Sequence, residues 1–128
     1  MARRDTVTGT FVAADTKWGY EYILRQTAEE CMELALALLK LIRADRGETP
    51  VSLDEAAAAV EEELADTILM IDGLYTLQDQ KTRARICRIR DEKEKRMRKR
   101  IEEEDEDAEE GSDRLRDGKA RRGRRGLS

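Results

Sequence analysis

The chain has 128 residues, of which 42% are charged and 4% aromatic, enough for one small domain but not for a large monomeric core. It contains no histidine, which excludes Ser-His and Cys-His nucleophilic machinery, His-ligated zinc and the Glu-x-x-His ligand sets of di-iron bundles. The net charge of −4 conceals segregation: residues 1–80 carry 7 basic and 16 acidic side chains, whereas residues 81–101 carry 11 basic and 3 acidic.

The composition, rich in Leu, Ala, Glu, Lys and Arg with Pro50 as the single proline, favours long helices over sheet. Cys31 and Cys87 are isolated and form no C-x-x-C pair, which fits free thiols in a reducing cytoplasm. Met1-Ala-Arg-Arg-Asp is followed by no apolar run, so no signal peptide is expected. No stretch approaches the roughly 18 apolar residues of a membrane span. The expectation is a soluble, cytoplasmic protein with no membrane partner.

Residues 1–15 are polar and small and read as an irregular N-terminal arm. Asp15 or Thr16 can then cap a helix running to about Asp45, with Gly47 as its terminator. Its apolar positions (Ile23, Leu24, Cys31, Leu34, Ala35, Leu38, Leu39 and Ile42 among them) form a wide stripe, suited to more than one packing neighbour. Gly47 to Val51 is a break containing Pro50, and Ser52-Leu-Asp-Glu55 has the form of a capping box for a second helix from Leu53 to about Leu77. Gly73 inside that helix costs about 1 kcal/mol against alanine, and marks either a close packing or ligand approach or a tolerated residue.

A polar junction at Gln78–Gln80 leads into a third, basic helix whose apolar row includes Ile86, Met97 and Ile101. Lys93 and Arg100 share that row, and Arg96 lies about one turn beyond Lys93. From Glu102 the chain becomes an acidic block followed by a Gly/Arg-rich end, and residues 102–128 read as a disordered charged tail. The arginines of that end sit beside the acidic block, so no specific nucleic-acid partner is expected.

Two acidic signatures of matching shape stand out: Glu29-Glu30-Cys31-Met32-Glu33 and Glu62-Glu63-Leu64-Ala65-Asp66. In each, two carboxylates three residues apart share one helical face. Glu30 stands in the row of Ile23, Leu34, Ala37 and Leu41, and Glu63 in the row of Ala56, Thr67, Met70 and Leu74. Both glutamates therefore belong to apolar stripes, where a carboxylate is costly unless something pairs with it. A single E-x-x-E in so acidic a chain is most often a solvated face. Two of them on apolar rows point instead to a bound divalent cation.

Magnesium takes oxygen ligands and is held by a few carboxylates together with substrate phosphates and water. Glu30, Glu33, Glu63 and Asp66 supply that ligand set, with Glu29 and Glu62 as supporting groups or candidate bases. A metal so held lowers the pKa of its water and neutralises phosphate charge. Lys93, Arg96 and Arg100 are candidate phosphate-binding cations, or else a solvated face paired with Glu92 and Glu94. Trp18, near a helix start, is either a packing anchor or a stacking platform for a nucleobase.

Lys17-Trp18-Gly19, the two acidic signatures, and the late Lys93-x-x-Arg96-Met97-x-x-Arg100-Ile101 together resemble the MazG-type all-α nucleotide pyrophosphohydrolases over residues 16–101. The resemblance implies an all-α fold: a long-helix hairpin plus a basic helix, completed into a four-helix-type bundle by homodimer or homotetramer formation. It also implies Mg²⁺-dependent cleavage (Mn²⁺ as an alternative ion) of a (d)NTP between the α and β phosphates, giving (d)NMP and pyrophosphate. Metal ligation and catalysis would fall to Glu30, Glu33, Glu63 and Asp66. The competing readings are a non-catalytic helical oligomerisation or interaction module, and a phosphoribosyl-nucleotide pyrophosphohydrolase.

Overall fold

A computed structural model describes residues 3–125 and shows four helices: α1 (Arg3–Trp18), α2 (Tyr20–Asp45), α3 (Leu53–Thr76) and α4 (Gln80–Arg125). The fold is all-α, as the composition led us to expect, and the described residues contain no strand. None of the described helices is long and apolar enough to cross a membrane. The chain divides into two compact units, one ending at Arg83 and one beginning at Ala84.

Helices α2 and α3 form the centre of the first unit, and α1 packs on both. The two long helices run antiparallel, because contacts advance along α2 as they recede along α3. Gln78 Nε2 donates to the Tyr20 hydroxyl at 3.0 Å at one end, and Thr67 Oγ1 donates to the Glu30 carbonyl at 3.2 Å further along. Most of the core lies on the rows read from sequence, with Phe11 and Val60 buried outside them. Ile23 and Ala37 of α2 and Ala56, Val60 and Thr67 of α3 are buried, with Leu34, Leu41, Met70 and Leu74 half-buried beside them.

Local chemistry explains the boundaries. At the end of α2, Gly47 adopts φ 69°, its amide donates to the Ala44 carbonyl, and the Glu48 amide reaches the Arg43 carbonyl at 2.9 Å. This is a Schellman ending, with glycine where a side chain would strain the backbone. Ser52 caps α3 as expected, its hydroxyl accepting from the Glu55 amide at 3.1 Å. Asp79 caps α4 by accepting from the Thr82 amide at 2.7 Å. Arg83 closes the end of α3 by donating to the Gln78 carbonyl at 2.7 Å.

Three expectations are corrected. The expected irregular arm over residues 1–15 is helical from Arg3 onward, with residues 1–2 outside the described part. The reason is tertiary: Phe11, buried to 6% exposure, lays its ring against Gly73 of α3, where a Cβ would overlap it. The helix expected to start at Asp15 or Thr16 and run to Asp45 is two helices, broken at Gly19, whose φ of 91° a side chain would disfavour. The expected disordered tail over 102–128 continues α4 to Arg125, with 126–128 outside the described part. Its Glu, Ala and Arg residues are strong helix formers, and spaced pairs such as Arg114–Glu110 at 3.5 Å reinforce them.

Candidate functional site

The antiparallel register of α2 and α3 brings the two acidic signatures to one level. Glu30 and Glu33 of α2 and Glu63 of α3 each offer a carboxylate oxygen, and the three oxygens lie within 4.8 Å of one another. Glu30 and Glu63 are half-buried at the helix–helix seam, while Glu33 is exposed at its edge. Oε2 of Glu30 and Oε2 of Glu63 are removed from solvent and accept no hydrogen bond. Among the described residues no lysine or arginine ion pair reaches any of the three.

This packing disturbs the ionisation of both inner carboxyls. Burial pushes Glu30 above the ordinary carboxyl range, and repulsion from Glu33, Asp66 and Glu29 adds to it. Burial likewise raises Glu63, reinforced by the charges of Glu33, Glu30 and Asp66 and by a hydrogen bond with the Glu33 carboxyl. Both glutamates therefore hold protons more readily than free carboxyls do, unless a cation takes the protons' place.

The sequence-derived candidates separate into groups. Glu30, Glu33 and Glu63 converge. Asp66 is exposed and outside the set of three, but its charge acts on both inner glutamates. Glu29 is exposed, acts on Glu30, and accepts from Gln26 Nε2 at 3.4 Å. Glu62 is exposed on α3 and is not one of the three. Trp18 is 55% exposed at the end of α1, with the Tyr22 ring 5.1 Å away at a tilt of 48° and Lys17 Nζ 5.5 Å from its centroid. Lys93, Arg96 and Arg100 belong to the second unit and are exposed on α4, where Arg100 Nε lies 3.8 Å from Glu104.

Thr67 contributes in a way its apolar row did not reveal. It is buried to 4% exposure, and its hydroxyl bonds the backbone of Glu30 itself, which fixes α3 against α2 at the level of the carboxylates. A hydroxyl in an otherwise apolar row, next to Asp66, was the available signal.

An all-oxygen donor set with buried, unpaired oxygen atoms and no competing cation among the described residues fits a hard divalent ion such as Mg²⁺ or Mn²⁺ better than a softer metal that prefers nitrogen or sulfur ligands. No protein-family model, curated protein or solved structure matches the chain.

Proposed function

We propose that the chain is a divalent-metal-dependent nucleotide pyrophosphohydrolase of the MazG-like, all-α type, cleaving a (d)NTP to (d)NMP and pyrophosphate. The observation that carries this reading is the meeting of Glu30, Glu33 and Glu63 from two helices, with two of their oxygens buried and unpaired. Those three residues and Asp66 would hold the ion, Mg²⁺ or Mn²⁺. Bound there, it would supply charge neutralisation on the triphosphate and activation of a water. Glu29 and Glu62, exposed beside the inner glutamates, are the candidates for accepting the water's proton. Lys93, Arg96 and Arg100 are the candidate phosphate contacts, and Trp18 with Tyr22 offers an exposed aromatic surface for a base.

Assembly belongs to the same proposal. The outer side of the α2 stripe is uncovered, with Leu36 and Leu39 at 59% and 58% exposure, and Ile68 of α3 is 56% exposed. An apolar face of that breadth suits burial in a homodimer or homotetramer that completes the helical bundle. The same face is what favours the second reading, a non-catalytic oligomerisation module.

The test is separation of products by anion exchange after incubation with each common (d)NTP and Mg²⁺. Monophosphate and pyrophosphate are expected. Release of diphosphate and orthophosphate would refute the bond assignment, and no turnover with no metal-linked rise in Tm would favour the module. Turnover confined to a phosphoribosyl-nucleotide substrate would move the enzyme to that class.

A further inference from the structure

The second unit carries a pattern that the carboxylate site does not use. Along α4, Ile86, Met97, Ile101, Ala108 and Leu115 fall within an arc of about 60°, at about 100° per residue. This narrow seam is open: Met97 is 63% exposed and Leu115 73%. Arg90, Lys93, Glu104 and Gly111 fill the positions between, giving the spacing of three and four residues that a helix needs to keep one seam against another.

The charges on this helix reverse sign at one point. Residues 95–100 hold five cations and no anion, and residues 102–106 hold five anions and no cation. Lys99–Glu103 and Arg100–Glu104 bridge the reversal within the helix, both at 3.8 Å and both solvent-exposed. Such pairs neutralise little of the field. A helix whose charge inverts about one point is complementary to itself turned end for end, and repels itself when aligned in parallel. It also contains Gly111 and Gly118, each costing about 1 kcal/mol in a helix interior, so this polar helix is in need of a packing partner.

We propose that α4 pairs antiparallel with α4 of a second copy of this chain, about a two-fold axis between Arg100 and Ile101. In that register the seam maps onto itself except at the axis, where Ile101 lies opposite Arg100. Ile86 meets Leu115, Lys93 lies over Ala108, and Met97 packs on the stem of Glu104, each contact occurring twice. On one flank Arg100 faces Glu103 of the second copy and Arg96 faces Asp107 of the second copy. This pairing needs none of Glu30, Glu33, Glu63 and Asp66, but it draws on Lys93, Arg96 and Arg100, the candidate phosphate contacts.

The experiment uses the full chain carrying Cys31→Ser and Cys87→Ser, with single cysteines added under mild oxidation. Ile101→Cys should form a covalent dimer across the axis. Ile86→Cys and Leu115→Cys should each form no covalent dimer alone and should cross-link to each other when mixed. Arg96→Glu with Arg100→Glu should weaken the association about tenfold at low salt, the sum of four exposed pairs at a few tenths of a kcal/mol each. Adding Glu103→Arg and Asp107→Arg to that chain should restore the Ile101→Cys cross-link. Self-linking of Ile86→Cys, absence of a covalent Ile101→Cys dimer, or failure of the reversed charges to restore the link would each overturn the proposal. Circular dichroism of each variant at matched concentration separates lost pairing from a chain that never folded.

Discussion

The Thr67 hydroxyl donates to the Glu30 carbonyl oxygen at 3.2 Å, joining α3 to α2 at the level where their carboxylates meet. Thr67 is one residue beyond Asp66 and one turn beyond Glu63, and Glu30 is itself one of the three converging acids. This bond therefore holds α3 against α2 at the level of the site, together with the packing of the two helices. Replacing Thr67 with valine keeps the volume and removes the bond, and we expect a loss of about 1 kcal/mol in urea unfolding. The Mg²⁺-linked rise in Tm should shrink as well. An unchanged metal response would show that the register is set by packing alone.

Gly73 and Phe11 make a second prediction. Alanine normally favours a helix over glycine by about 1 kcal/mol, yet a Cβ at Gly73 would overlap the Phe11 ring. Gly73→Ala should therefore destabilise the chain by about 1–3 kcal/mol, the range for overpacking, instead of stabilising it. The double variant Phe11→Ala with Gly73→Ala should be less destabilised than the sum of the two single changes. Denaturant midpoints of the four chains decide it; strict additivity would mean that α1 does not dock on α3.

Much of this was legible in the residues because the decisive signals are local. Ser52 followed by Glu55 marks the start of α3, Gly47 marks the end of α2, and the rows of Ile23 and Ala56 locate the buried faces of both helices. The placement of Glu30 and Glu63 within those rows foretold their half-buried state. What could not be read depends on partners distant in sequence. Residues 3–18 have no strong apolar periodicity, and they are helical because Phe11 finds Gly73 more than sixty residues away. Asp66 shares its motif with Glu63 but lies outside the set of three, since motif spacing places a residue on a face without fixing how far its oxygen reaches.

The raised carboxyls make stability depend on pH in a definite sense. In the metal-free chain Glu30 and Glu63 keep their protons to higher pH when folded than when unfolded, where they titrate near 4.5. Folding therefore takes up protons between the raised values and 4.5. These two groups favour the fold most below that window, and their contribution is lost as pH rises through the folded values. Urea unfolding in chelator should show the Glu30→Gln, Glu63→Gln double variant gaining stability over the parent near neutral pH and losing that advantage near pH 4.5. A pH-independent difference between the two chains would contradict the assignment.

Adding metal should reverse that comparison, and Glu63→Gln alone is the sharpest form of the test. Without metal, the amide removes one of three mutually repelling acids and relieves the buried, unpaired Oε2 of a charge. The variant should be at least as stable as the parent in chelator. With Mg²⁺ or Mn²⁺ at about a hundred times the dissociation constant, the parent should gain about 2.7 kcal/mol from binding. The variant, short of one anionic ligand, should gain much less and should lose turnover while keeping its helical content. The two chains should therefore exchange rank in Tm between chelator and metal. If Glu63 instead served only to anchor the packing of α3, the variant would be the less stable chain under both conditions, and the metal assignment would fall.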